Sequence, residues 1–291
     1  MGAGVAISAD AASLPRSVLF VPAHLTSLVG KAARGTAEAV CLDLEDGVPA
    51  EDRRDARSGL ASACGTLVSG GKPVWVRINA EFDDISHDID ALPESCDVVV
   101  LPKVEALTDV RRLASALQRH FAERAPAIVA LVETAAGLCA LRAANGAVPP
   151  SLLAIALGTE DLAADLGCEP DAPPVVHAFD ALALDCARLG VTLFGSPAPI
   201  GLYQALERFE AGVRRGAASG SVGGFGIHPA QMPILHDAHR ASPRELERAE
   251  AIVSAYERAG GEGGAGGAIA VDGCMVDAPV YRRARQVLSR A

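Results

Sequence analysis

Seven carboxylates stand in short polar tails that follow apolar runs: Asp43, Glu45, Asp46, Glu105, Glu133, Glu160 and Asp161. Carboxylates gathered in one place repel one another, and such a cluster is costly unless a cation or an arginine compensates it. An oxygen-rich set without a matching Cys/His group suits a hard cation such as Mg²⁺, which is held by one or two carboxylates plus water and substrate. Arg77, in Arg77-Ile78-Asn79, and Arg16, just ahead of the first apolar run, offer planar forks that grip a substrate carboxylate through two parallel hydrogen bonds. A divalent metal and an anionic substrate are the chemistry these residue types support. The histidines offer no rival, because His236 and His239 form an H-x-x-H on a polar helix, a pattern usually found at a surface.

These tails must be brought together by the elements that carry them. Short apolar runs rich in β-branched residues predict strands over 17–21, 39–44, 74–78, 98–102, 127–132, 152–157, 191–194 and 224–227. Helical patterns lie between them, over 25–34, 52–68, 107–124, 134–144, 176–189, 202–215 and 230–240. Near-continuous apolar strands are buried on both faces, which implies a parallel sheet with helical crossovers. Eight such units predict an α/β fold of the (β/α)8 TIM-barrel type, in which every strand end opens onto one catalytic face. The competing open, doubly wound sheet is disfavoured by the lack of a G-x-G-x-x-G after the first strand.

Composition excludes several classes. The 291 residues carry 26 Lys+Arg against 36 Asp+Glu, a net charge of −10, and only 4% are aromatic, so no nucleic-acid partner is expected. No uncharged stretch reaches the ~20 apolar residues of a membrane span, so no membrane partner is expected either. The seven cysteines are odd in number and never form C-x-x-C, which fits reduced thiols in the cytoplasm and not a zinc site. Residues 1–15 read as a flexible N-terminal tail, 16–240 as the catalytic barrel, and 241–291 as a C-terminal helical lid or arm. In that arm, a helix to about 259 precedes a glycine-rich hinge over 260–267 and a second amphipathic helix over 279–288.

At these same residues the chain resembles the citrate lyase β-subunit-like family, which includes the malyl-CoA and citramalyl-CoA lyases. The matching segments include Arg16-Ser17-Val18-Leu19-Phe20-Val21-Pro22, Cys41-Leu42-Asp43-Leu44-Glu45-Asp46, Val76-Arg77-Ile78-Asn79 and Leu101-Pro102-Lys103-Val104-Glu105. Leu131-Val132-Glu133-Thr134-Ala135, Gly158-Thr159-Glu160-Asp161-Leu162 and Gly226-Ile227-His228-Pro229 continue the series in order, and Gly273-Cys274-Met275-Val276-Asp277 is similar to the family's C-terminal motif. The resemblance implies a Mg²⁺-dependent carbon–carbon lyase that splits a 3-hydroxyacyl thioester into an acyl-CoA, or an acyl-carrier protein thioester, and a short α-keto acid. It implies Glu133 and Asp161 as metal ligands; Asp43 and Glu105 are next in line should Glu133 fail, and are read first as groups that bond metal waters or orient neighbours. Arg77 becomes the carboxylate clamp, assisted by Arg16, and Arg77, Asp43, Glu45 and Asp277 the catalytic set. Asp277 is expected over a neighbouring subunit's barrel in a homo-oligomer, a trimer or hexamer, whose arms are exchanged. An aldolase or thioesterase on related hydroxy acids, or a non-catalytic barrel subunit, are the alternatives. The strand-seven exit, Gly195-Ser196-Pro197-Ala198-Pro199, lacks the acidic follow-up common in the family.

Overall fold

The computed structural model describes residues 14–122, 124–260 and 267–289. Most of the expected N-terminal tail and of the glycine hinge therefore lies outside the described residues. The chain divides into two compact units, Met1–His239 and Arg240–Ala291.

The first unit is an eight-stranded, all-parallel sheet in the order β7-β6-β5-β4-β3-β2-β1-β8. Its strands are β1 (Ser17–Pro22), β2 (Ala39–Asp43), β3 (Val74–Arg77), β4 (Val98–Leu101), β5 (Ala127–Val132), β6 (Leu152–Leu157), β7 (Thr192–Phe194) and β8 (Gly224–Gly226). The seam between the end strands is drawn together by two backbone hydrogen bonds, Gly195 N–H to Gly223 O at 2.8 Å and Val222 N–H to Leu193 O at 3.3 Å. Helices α1 (Thr26–Ala33), α2 (Arg53–Ser69), α3 (Phe82–Ala91), α4 (Leu107–Phe121), α5 (Ala135–Ala143), α6 (Thr159–Leu166), α7 (Pro173–Leu189), α8 (Leu206–Ala218) and α9 (Met232–His239) connect them. This is the TIM-barrel architecture. Helices α3 and α6 were not foreseen, because both are short and acid-rich and lack a long apolar stripe.

Strand alternation produces two apolar layers. One face packs inward: Val18, Cys41, Trp75, Val100, Val129, Ala156 and Phe194 form the barrel interior, with Leu14 joining them from the chain preceding β1. The alternate positions, such as Leu19, Leu42, Val76, Val99 and Ile155, pack outward with helix residues including Leu60, Leu117, Phe179 and Phe209. Both faces being buried explains the continuous apolar runs.

The second unit contains α10 (Pro243–Arg258), an antiparallel hairpin of β9 (Ile269–Val271) and β10 (Cys274–Val276), and α11 (Ala278–Leu288). The hairpin corrects the expectation of two helices joined by a hinge alone. Its turn is Asp272-Gly273, with φ of 46° and 75°, the positive pair that a two-residue type I′ hairpin demands. Tyr256 and Tyr281 stack at 4.9 Å between the helices, and Ile252 and Val276 complete a small separate core.

Candidate active site

Chemistry reaches the barrel mouth because the inward alternation continues past the apolar layer. Cys41 is followed two residues on by Asp43, Trp75 by Arg77, Leu131 by Glu133 and Phe225 by Ile227, so these four side chains share the interior face at its C-terminal end. Asp43 and Arg77 are direct partners in the β2–β3 register.

Arg77 donates from Nε to Asp43 Oδ1 at 2.7 Å and from Nη2 to Asp43 Oδ2 at 2.6 Å. Its Nη1 lies 2.9 Å from Glu45 Oε2, and the guanidinium carbon stands 5.0 Å from the centre of the Phe20 ring. Burial disfavours the Arg77 charge, but the hydrogen bonds and charge of Asp43, with Glu45, raise its pKa above the ordinary arginine value. Asp43 also accepts from the backbone N–H of Glu45 at 3.0 Å and of Gly47 at 2.8 Å. Gly47 is needed for this approach, since a Cβ there would come 2.4 Å from Asp43 Oδ2. Four donors saturate the Asp43 carboxylate. In this arrangement Asp43 fixes the angle of the arginine fork.

Glu45 is bound in a similar way. Its Oε1 accepts from Lys103 Nζ at 2.6 Å, so one carboxylate spans two cations. Burial raises the Glu45 pKa, and Arg77 and Lys103 oppose that shift. Lys103 was not singled out from sequence, although a single lysine at a strand end inside an acidic set is the compensating cation such a set requires. Its backbone adopts a φ of 51°, which turns its N–H onto Glu133 Oε2 at 2.7 Å.

Glu133 is only 3% exposed. Burial pushes its carboxyl up to about 8, the charges of Asp161 and Glu45 add to the shift, and the Lys103 N–H and Arg77 oppose it. Its room is provided by Gly158, where a Cβ would lie 2.4 Å from Glu133 Oε1. A capping role for Glu133 is excluded by Thr134, whose hydroxyl accepts the Gly137 N–H at 3.0 Å at the start of α5. Asp161 lies in the first turn of α6 and lines the same cavity as Glu133. Among the described residues no group of three or more His, Cys, Asp or Glu forms a metal cage. Two carboxylates, one of them buried at a cost that a cation would relieve, fit Mg²⁺, which keeps positions for substrate and water.

Other expected residues lie elsewhere. Arg16 is a correction: it precedes β1, at the opposite end of the barrel from the mouth, where its Nε donates to Glu38 Oε1 at 2.8 Å. A residue before a parallel strand lies at its N-terminal end, so the fork stands apart from Phe20 and Pro22, the β1 residues that line the cavity. Glu105 is exposed and its backbone N–H donates to Asp109 Oδ2 at 3.3 Å at the start of α4. The histidines also depart from expectation, because His239 is buried and His236 Nε2 lies 2.7 Å from Ser17 Oγ. Asp277, in the second unit, caps α11 by accepting the Val280 N–H at 3.2 Å.

Asp43, Arg77, Glu133 and Asp161 thus border one cavity of about 450 Å³, completed by apolar groups from β1, β7 and β8. A TIM barrel with an arginine fork and two carboxylates gathered at its C-terminal face has the layout of a catalytic barrel. The chain belongs to the HpcH/HpaI aldolase/citrate lyase family, a family of carbon–carbon lyases, whose pattern matches residues 16–229. It is 32% identical to a citrate lyase subunit beta-like protein of Deinococcus radiodurans, over 95% of this chain and 97% of that one. It is 31% identical to a (3S)-malyl-CoA thioesterase and 28% identical to an L-malyl-CoA/beta-methylmalyl-CoA lyase, both of Cereibacter sphaeroides, each covering 95% of this chain and 94% of the relative. Among solved structures, Mycobacterium tuberculosis CitE in complex with magnesium, acetoacetate and coenzyme A superposes with a TM-score of 0.73 at 29% identity, covering 96% of this chain and 99% of that one. The citrate lyase beta subunit of the same organism with oxaloacetate and magnesium gives 0.63 at 28% identity, over 79% and 99%.

Proposed function

We propose that this protein is a Mg²⁺-dependent lyase that cleaves a 3-hydroxyacyl-CoA into an acyl-CoA and a short α-keto acid. The observation that carries the reading is the Arg77–Asp43 fork beside the buried Glu133 and Asp161 in one cavity. Magnesium bound by Glu133 and Asp161 would polarise the keto carbonyl as a Lewis acid. Arg77 has its Nε–Nη2 edge committed to Asp43 and its Nη1 beside Glu45, so one hydrogen on each Nη is left to grip the keto acid's carboxylate. Glu45 and Lys103 keep that fork and Glu133 in fixed relation.

In the condensation direction a base removes a proton from the thioester α-carbon. The resulting enolate carbon bonds to the keto carbon, and the keto oxygen takes up a proton to become the 3-hydroxyl. Cleavage is the reverse. We assign the proton at the α-carbon to Asp277, supplied across a homo-oligomer interface by a partner subunit's arm. The arm leaves the apolar side chain of Met275 67% exposed, which supports docking on another surface. All seven cysteines are unpaired and four are buried, which supports a reducing compartment such as the cytoplasm. Among the described residues no helix is long and apolar enough to cross a membrane.

A thioesterase is the second reading, favoured by the 31% identity to a malyl-CoA thioesterase. The test is product analysis of malyl- and citramalyl-CoA turnover with and without EDTA. A lyase releases a keto acid and an acyl-CoA in an EDTA-sensitive manner. Free CoA with intact hydroxy acid identifies the thioesterase, and no turnover with any substrate supports a non-catalytic subunit.

A further inference from the structure

Lys103 meets the site through two separate parts. Its backbone N–H, turned by the positive φ, donates to Glu133 Oε2. Its side chain takes another course: Nζ lies 2.6 Å from Glu45 Oε1 and 3.6 Å from Asp46 Oδ1. Lys103 stands beside the cavity that Arg77, Asp46 and Glu133 border, and not among its lining residues.

Glu45 stands between two cations. It is buried, so water cannot satisfy its oxygens and each needs a protein donor. Oε1 takes Lys103, and Oε2 lies beside Arg77 Nη1. Asp43 already holds the Nε–Nη2 edge of the guanidinium. A Glu45 carboxylate deprived of Lys103 would have both oxygens to turn onto the remaining Nη hydrogens, the ones a substrate carboxylate requires. With Nζ in place one oxygen is drawn away, and Glu45 engages Nη1 alone.

Charge points the same way. Around the clamp and the paired carboxylates, Asp43, Glu45, Glu133 and Asp161 face Arg77 and Lys103, a surplus of two negative charges when all four acids are ionised. One divalent cation cancels that surplus. Without Lys103 the surplus is three, and an anionic substrate would meet a negative site even with the metal bound. Asp46, with its side chain 54% exposed, is screened by solvent at the rim.

We propose that Lys103 is a positioning residue for the keto acid: its ammonium group keeps Glu45 off the substrate-binding hydrogens of Arg77 and brings the metal-loaded site to neutrality. This role depends on the lyase reading above. Lys103 touches neither substrate nor metal with its side chain, and it acts through Glu45 and through its charge.

Lys103→Met keeps the stem and the backbone N–H on Glu133 and removes only the cation. In condensation of acetyl-CoA with glyoxylate or pyruvate, its KM for the keto acid should rise about tenfold, with a smaller change in kcat. Mg²⁺ should bind severalfold more tightly at low ionic strength, because the site has lost a positive charge. Calorimetric titration above about pH 8, where Glu133 is ionised, reads this without turnover. Lys103→Arg should stay near wild type in both. Adding Glu45→Gln to Lys103→Met should bring the KM back down, since a neutral amide no longer competes for the guanidinium. A lysine needed only for folding would weaken both ligands, and no second substitution at Glu45 would rescue it. An unchanged KM, a KM that Glu45→Gln fails to relieve, or a weakened Mg²⁺ site overturns the role given to Lys103 and leaves the lyase standing. A wild-type protein that neither binds Mg²⁺ nor condenses any such pair overturns the lyase reading itself.

Discussion

The Glu133 carboxyl must lose a proton before it can hold a cation, and burial places that loss at about 8 in the metal-free protein. Mg²⁺ binding should therefore release a proton and tighten as pH rises toward 8, by up to about tenfold per pH unit. Isothermal titration in two buffers of different ionisation enthalpy measures the release, and Glu133→Gln should abolish both it and the Mg²⁺-induced rise in Tm. Stability has the opposite pH slope. The folded pKa lies above the unfolded one, so between the ordinary carboxyl range and about 8 the folded state binds more protons than the unfolded. Without metal, Tm should fall as pH rises through that window, and Mg²⁺ should remove the slope. Arg77 belongs to the same scale. Arg77→Lys keeps the charge but loses the two-pronged bond to Asp43, so the KM for the keto acid should rise about 10- to 100-fold. Steady-state condensation kinetics check it, and an unchanged KM would remove Arg77 from the clamp.

Among elements, the β2 exit is supported from beneath by a buried network that touches no part of the cavity. Asn79 Nδ2 donates to Leu44 O at 2.9 Å and to Asp88 Oδ2 at 2.8 Å, while Arg57 Nε donates to Asp88 Oδ1 at 2.6 Å. Asp88 is fully buried, so it is a positioning residue for the loop that carries Glu45 and Gly47. Asp88→Leu removes the acceptor of the buried Asn79 backbone N–H, which donates to Asp88 Oδ2 at 2.7 Å, and should cost about 1–3 kcal/mol, read as a lower midpoint in urea. Asn79 is a polar strand-end residue like Arg77, and only the fold separates their tasks. The β6 exit makes a sharper case. Gly158→Ala would drive a methyl into Glu133, so the Mg²⁺-dependent rise in Tm should be lost while the metal-free melt changes far less.

For the whole molecule, the proposed arm exchange is decided by complementation. Asp277→Ala and Glu133→Gln should each be inactive, and a mixture given time to exchange subunits should recover part of the wild-type turnover. Mixed sites then hold an intact carboxylate pair from one chain and an intact Asp277 from another. A mixture that stays inactive after exchange is verified by mass spectrometry confines Asp277 to its own chain or to its cap on α11. Asp277→Ala also removes that cap, which should cost about 1 kcal/mol in local helix stability without dissolving the fold.

Amino-acid order alone determined the eight strands, their parallel arrangement and the polar tails at their ends, because doubly buried strands must be apolar along their length and crossovers must be helical. Which phase of each strand faces the interior, and hence that Asp43, Arg77 and Glu133 share one face, was settled by the closed barrel, because strands apolar on both faces do not mark it. Tertiary structure decided which of the strand-end charges are spent on one another. Asp43 and Glu45 are indistinguishable from ligands in sequence; the β2–β3 register turns Asp43 onto Arg77, and the loop after β2 brings Glu45 beside it. Lys103 joined the site only through a backbone twist that no pattern of residues announces. Arg16 was misplaced because proximity to a strand in sequence does not say which end of the barrel is meant, and Glu38 was there to receive it. The hairpin at Asp272-Gly273 was legible and overlooked. The uncharged segment after β7 was visible as a missing acid, but only Thr159 and Gln231 fixed its place in the cavity that Arg77 also lines, since position at a distance in sequence is set by packing.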